Sequence, residues 1–150
     1  MIIWQTLPFN KLSTLQFHEL IKLRINIFVV EQTCPYPELD DKDIIDDVYH
    51  LVGSQNDEII ACARLLPAGI SYENVSLGRV ATKETARGNG LGHQLIIEAL
   101  KQCEQHWPGK TIDIGAQEYL QTFYQNHGFK PISEVYMEDG IPHIDMRLNK

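Results

Sequence analysis

The chain has 150 residues, 43% hydrophobic and 22% charged, a composition and length that suit one globular domain without covalent staples. Its net charge of −7 argues against nucleic acid as a partner, because basic patches carry most of that affinity; no apolar run approaches the roughly 20 residues of a membrane helix. Three widely spaced cysteines, Cys34, Cys62 and Cys103, and an N-terminus without signal-peptide features suggest a reducing, cytoplasmic setting rather than a disulfide frame or a zinc site.

Ile2–Gln5 reads as a short strand. Ser13 and Gln16 then stand at capping-box spacing, followed by a helix with Leu20, Leu23, Ile27 and Phe28 at helical intervals. Cys34-Pro35-Tyr36-Pro37 marks its end, since proline disfavours a helical residue before it. Residues 38–47 carry Glu38, Asp40, Asp41, Asp43, Asp46 and Asp47. Such a run is expected to be a solvated, mobile surface; the alternative is that it attracts a cationic amine. It lacks the glycine and closing glutamate of an EF-hand, so no calcium is expected.

Val48–Gly53 and Ile59–Leu66 read as strands around a turn at Gln55-Asn56-Asp57, and Ser76–Thr82 as another. Leu91, Leu95, Ile96, Ala99, Leu100 and Cys103 share one face of a long helix that Pro108-Gly109 stops. Thr111–Gly115 follows as a strand, Tyr119–His127 as a helix closed by Gly128, and Ile132–Met137 and His143–Leu148 as strands joined by Glu138-Asp139-Gly140. No repeat or linker divides residues 1–150. The expected fold is α/β, one domain in the order β-α-β-β-β-α-β-α-β-β, a mixed sheet flanked by helices.

Arg87-Gly88-Asn89-Gly90-Leu91-Gly92 links a strand to the long helix. Alternating glycines let backbone N–H groups approach a ligand, and a helix N-terminus adds positive charge and unpaired donors. The combination suits a diphosphate, and Arg87 can add a charged contact. A plain turn is the alternative. A Rossmann G-x-G-x-x-G starting at Gly88 needs glycine where His93 stands, and starting at Gly90 where Leu95 stands; no Gly-Lys-Ser/Thr follows for a Walker loop.

Arg87, Gly90 and Gly92 do fit R-x-x-G-x-G. The segment resembles the acetyl-CoA motif of the GNAT family of N-acetyltransferases. Phe123-Tyr124-Gln125-Asn126-His127-Gly128-Phe129 resembles that family's F-Y-x-x-x-G-F helix end. Leu23-Arg24, Phe28–Gln32, Cys34–Pro37, His106–Pro108, Gly115–Gln117 and Glu138–His143 are similar to its ElaA-like branch. The resemblance implies acetyl-CoA as cosubstrate, no metal, and acetyl transfer to a primary amine of a small-molecule or peptide acceptor by direct attack. A non-catalytic acyl-CoA-binding module or sensor is the alternative. No membrane partner is expected, and the assembly is open, a homodimer being one option.

By the same resemblance, backbone groups at Val80 hold the pantetheine arm and thioester, and Arg87, Gly88, Asn89, Gly90, Leu91 and Gly92 hold the pyrophosphate. Gln117 stands where the family often has an asparagine on the CoA arm. Tyr124 resembles the general acid; a phenol with a pKa of about 10 is protonated at neutral pH. Core packing is the plain alternative for Val80 and Tyr124, and Phe123 and Phe129 are assigned to the core. Glu31 and His143 are the two candidate bases. Arg24, Phe28 and Glu31 follow at i, i+4 and i+7, so Arg24 and Glu31 either face an acceptor pocket together or form a structural salt bridge. His18, His50, His93, His106 and His127 have no metal-ligand spacing and read as solvated or locally bonded.

Overall fold

A computed structural model describes residues 1–150. Strand β1 (Ile3–Pro8) leads to helix α1 (Thr14–Ile25) and a π-helical turn (Asn26–Glu31), then to β2 (Tyr49–Gln55), β3 (Glu58–Leu66) and β4 (Val75–Thr82). Helix α2 (Leu91–His106), β5 (Ile112–Gln117), α3 (Gln121–Gln125), β6 (Lys130–Pro131), β7 (Tyr136–Glu138) and β8 (Ile141–Leu148) complete the chain. All strands join one mixed sheet in the order β1-β2-β3-β4-β5-β8-β6, with β7 also on β8. Only β4 and β5 are parallel neighbours; the other pairs are antiparallel.

Alternation along the strands divides two cores. Leu51, Ala63, Leu65, Val75, Leu77, Ile112 and Ile114 point to α2, which buries Leu91, Leu95, Ile96, Ala99 and Cys103 against them. Val52, Cys62 and Ala81 point the other way, under Leu20, Leu23 and Ile27. Each fully buried aliphatic side chain contributes about 1.5–3 kcal/mol. Ser13 caps α1 in a complete capping box with Gln16, as its spacing predicts. Gly128 closes α3 at φ +96, with Phe129 N–H donating to Tyr124 O and Gly128 N–H to Gln125 O, a Schellman arrangement.

Three expectations are corrected. The first helix widens into the π turn before Pro35 is reached, with Gln32 N–H bonded to Ile27 O. That turn takes Glu31 off the face of Arg24, so the two do not pair: Arg24 is buried against Glu38 and Asp43, and Glu31 meets Arg87. Residues 132–137 are not one strand. Pro131 has no N–H for a ladder, and the Ser133 hydroxyl takes the Asp145 N–H, so the pairing with β8 breaks between β6 and β7. Finally, the acidic segment is not a wholly solvated surface: Glu38 and Asp43 are only 4% and 2% exposed. Three arginines neutralise them, which is the condition for burying carboxylates.

Candidate active site

β4 and β5 pair at only two positions, Val75–Ile112 and Ser76–Asp113, and then diverge. A cavity of about 630 Å³ opens between them. Gly78–Thr82 form one wall and Ile114–Gln117 the other, with Gly92 and Leu95 of α2 and Phe123 and Tyr124 of α3 closing one side. A β-bulge shapes the first wall. Cys62 pairs with Ala81 and Arg64 with Gly78, so Arg79 and Val80 together face Ala63. Arg79 sits there at φ +50, a left-handed backbone rare for a non-glycine residue. The bulge sends its side chain to the α1 face, while Val80 borders the cavity and packs on the α2 core.

The glycine loop ends this cleft. Gly88 and Gly90 have φ of +102 and +75, which explains both glycines. Gly90 is the N-cap of α2 and supplies no side-chain cap, so the first-turn N–H groups have no side-chain acceptor. A Cβ at Gly92 would meet only the Phe123 ring at 3.5 Å, an ordinary contact. Chain packing therefore does not demand glycine there, whereas close approach of a ligand would. Arg87 and Gly92 border the cavity; Gly88, Asn89 and Gly90 are exposed outside it. The Leu91 side chain lies in the core, leaving only its backbone to the loop. Arg87 is held by two contacts to Glu31, at 3.1 and 3.0 Å, and by the Thr82 carbonyl.

Tyr124 is buried but borders the cavity, and its hydroxyl has no hydrogen-bond partner within the chain. Burial, and then the charge of Tyr119, push its pKa up, so it remains a phenol at neutral pH. His143 borders the same cavity from β8. Its Nδ1–H donates to the Ile141 carbonyl at 2.7 Å, and its Nε2 lies 3.5 Å from a Glu138 oxygen. Gln117 borders the cavity too, but its amide exchanges two hydrogen bonds with the Gln32 amide, at 3.3 and 3.2 Å. Glu31 lies on the rim with both oxygens on Arg87.

Beyond the bulge, the cavity reaches Tyr36, Asp40, Arg64, Tyr72 and Arg79, and a buried charge lattice lies behind them. Glu38 Oε2 accepts from Arg24 Nε at 2.6 Å and from Arg79 Nε at 2.9 Å, and Glu38 Oε1 accepts from the Tyr36 hydroxyl. Asp43 bonds Arg24 and Arg64; Asp40 bonds Arg64 and contacts Arg79. Burial alone would raise the Asp43 carboxyl, but hydrogen bonds and charge from Arg24, with the charge and hydrogen bonds of Arg64, hold it below its usual range. The Tyr72 hydroxyl crosses Gly115 to reach Asp145, which also accepts from Tyr136. A Cβ on Gly115 would lie 2.6 Å from that hydroxyl, so glycine there admits Tyr72. Burial, with the nearby Asp145 charge, pushes the Tyr72 pKa up to about 12.

A mixed sheet opened between its parallel strands, with a glycine loop at an uncapped helix N-terminus, defines an acyl-CoA-dependent acyltransferase class. Residues 31–150 match the family profile described as an acetyltransferase (GNAT) domain, and the chain belongs to that family. It is 48% identical to Protein ElaA of Escherichia coli over 146 residues, 97% of this chain and 95% of that protein. The crystal structure of Escherichia coli ElaA superposes with a TM-score of 0.92 at 47% identity, covering 98% of this chain and 99% of that one. An acyl-CoA N-acyltransferase from Pseudomonas aeruginosa superposes at 0.93 with 39% identity and the same coverages, 98% and 99%. No helix is long and apolar enough to cross a membrane.

Proposed function

We propose that this protein transfers an acetyl group from acetyl-CoA to a primary amine by direct attack. The observation that carries the reading is the opening between β4 and β5, which ends at the uncapped N-terminus of α2. An extended thioester arm fits between strands whose backbone groups are unpaired by each other, and a diphosphate fits the glycine loop. Arg87, Gly88, Asn89, Gly90, Leu91 and Gly92 hold the diphosphate, and backbone at Val80 holds the thioester. Gln117 reaches the CoA arm only by giving up its bonds to Gln32.

The amine nitrogen bonds the thioester carbon, and the carbon–sulfur bond then breaks. Nε2 of His143 takes the proton lost by the amine, and the Tyr124 hydroxyl gives a proton to the departing thiolate. His143 suits the base role better than Glu31, because its Nδ1–H is pinned to a carbonyl while both Glu31 oxygens are held by Arg87. The acceptor, a small molecule or a peptide, enters from the side of Tyr36, Tyr72 and Glu138. Three buried, free thiols suit a cytoplasmic setting.

The deciding experiment measures free-thiol release from acetyl-CoA across a broad amine panel, beside the melting temperature with and without acetyl-CoA. Release with at least one primary amine and a raised melting temperature is expected. A raised melting temperature with no release for any amine would favour a binding module. No effect of acetyl-CoA on either would overturn the reading.

A further inference from the structure

We infer that Glu38 and Arg79 are positioning residues for acyl transfer: the buried carboxylate holds the β4 bulge in its strained form through the arginine side chain. The inference rests on the acyltransferase reading above. Arg79 is the left-handed residue of the bulge, and strain of this kind persists only where surroundings enforce it. Glu38 supplies that enforcement twice over, accepting from Arg79 Nε through its carboxylate at 2.9 Å and from Nη2 through its backbone carbonyl at 3.2 Å. Asp40 adds a contact at 3.5 Å, and the guanidinium lies 5.8 Å from the centre of the Tyr36 ring.

Glu38 is itself immobilised. Arg24, 1% exposed, grips the same carboxylate oxygen and also bonds Asp43, which anchors Arg64 on β3. The chain of contacts runs from α1 through residues 38–43 to both strands that flank the bulge. Its end point is the peptide between Arg79 and Val80, on the wall of the opening. A lattice that served stability alone would have no need to end on a strained backbone; apolar residues of similar volume often serve as well as buried ion pairs.

The test separates backbone from guanidinium. Arg79→Ala removes the tether and keeps the penalty for left-handed backbone, so the bulge relaxes. Arg79→Gly also removes the tether but adopts the left-handed form without penalty. Both variants leave Glu38 with Arg24 and Tyr36, and Asp40 with Arg64, so the fold persists. Arg79→Ala is expected to lower kcat about tenfold or more with little change in KM for acetyl-CoA, and Arg79→Gly to recover most of that loss. In the Arg79→Gly background, Glu38→Gln should have little further effect on kcat, whereas in the wild-type background it should lower kcat.

A second measurement needs no acceptor. The carbonyl stretch of bound, carbonyl-labelled acetyl-CoA should shift from its solution value in the wild type and in Arg79→Gly, and return toward it in Arg79→Ala. Equal losses for Ala and Gly would mean that the guanidinium itself contacts substrate, and would overturn the inference. Unchanged turnover and carbonyl frequency in Arg79→Ala would also overturn it. A wild type that binds acetyl-CoA without turnover overturns the enzymatic reading instead, and the carbonyl frequencies still decide the role of the lattice.

Discussion

Replacing Tyr124 by phenylalanine removes one oxygen that no other group in the chain uses. The hydroxyl has no partner to strand, so the usual penalty for an orphaned buried donor or acceptor does not arise. The ring keeps its edge contacts with Phe123 and Phe129. Stability should therefore change by less than about 1 kcal/mol, roughly 2–4 °C in melting temperature for a chain of this length. Catalysis should respond very differently. Loss of a general acid costs on the order of a hundred- to ten-thousand-fold, about 3–5 kcal/mol of barrier. The assay is steady-state thiol release at saturating acetyl-CoA, with single-turnover mixing to establish that chemistry limits the rate. The enzyme's own three thiols are buried and interfere little. A kcat within threefold of wild type while chemistry is rate-limiting, or a melting temperature lowered by ten degrees, would refute the assignment and return Tyr124 to packing.

His143→Ala should lower kcat about a hundredfold or more in steady-state thiol release, whereas Glu31→Gln should leave it within about threefold; the opposite pattern would make Glu31 the base. Arg87→Ala should weaken acetyl-CoA binding by about 1.5–3 kcal/mol, the worth of a charge-assisted hydrogen bond, with kcat nearly unchanged; calorimetric titration reads this directly. Asp43 and Asp40 are both depressed below ordinary carboxylates: burial opposes the shift, and their arginine partners outweigh it. A depressed folded pKa gives stability that is full above the unfolded value of about 3.9 and is lost as pH falls through the lower folded values. The melting temperature should therefore fall as the pH is taken below about 4, and Asp43→Asn should be less stable by about 3–5 kcal/mol at neutral pH, with a flatter acid limb.

Local pattern carried much of the fold. The apolar stripe of α2, the alternation of β2, β3 and β4, the capping box at Ser13 and the closing Gly128 each depend on residues a few positions apart. The place of the glycine loop ahead of α2 was legible for the same reason, as was the glycine-closed helix that carries Tyr124. What escaped depends on distance or on backbone geometry. Arg24 and Glu38 are 14 positions apart, and Arg79 and Glu38 are 41 apart, so a string of acids looked like solvent-facing charge. The left-handed backbone at Arg79 falls one residue after Gly78, so the glycine marks the bulge but not the residue that takes the strain. The pairing of Gln32 with Gln117 spans 85 positions, although each amide alone is unremarkable. The interrupted strand at residues 132–137 had the right alternation, yet Ile132 and Val135 face solvent because Ser133 takes over a ladder bond.

The two-position contact between β4 and β5 has a consequence for solubility and folding as well as for ligands. Where these strands separate, the sheet acquires two edges in its own middle, each with backbone donors and acceptors that its neighbour does not take up. Outer edges invite other chains to add strands, and proteins usually blunt them with charge, proline or short length. Here the protection is depth: α2, α3 and the segments carrying Tyr36 and Tyr72 wall in the gap. On the proposed reading, a ligand lying along it would act as a detachable strand, completing the sheet from within. Amide exchange at Val80 and Gly115, whose N–H groups face the gap, should therefore slow on acetyl-CoA binding, while the outermost strand, β1, keeps its exchange rate.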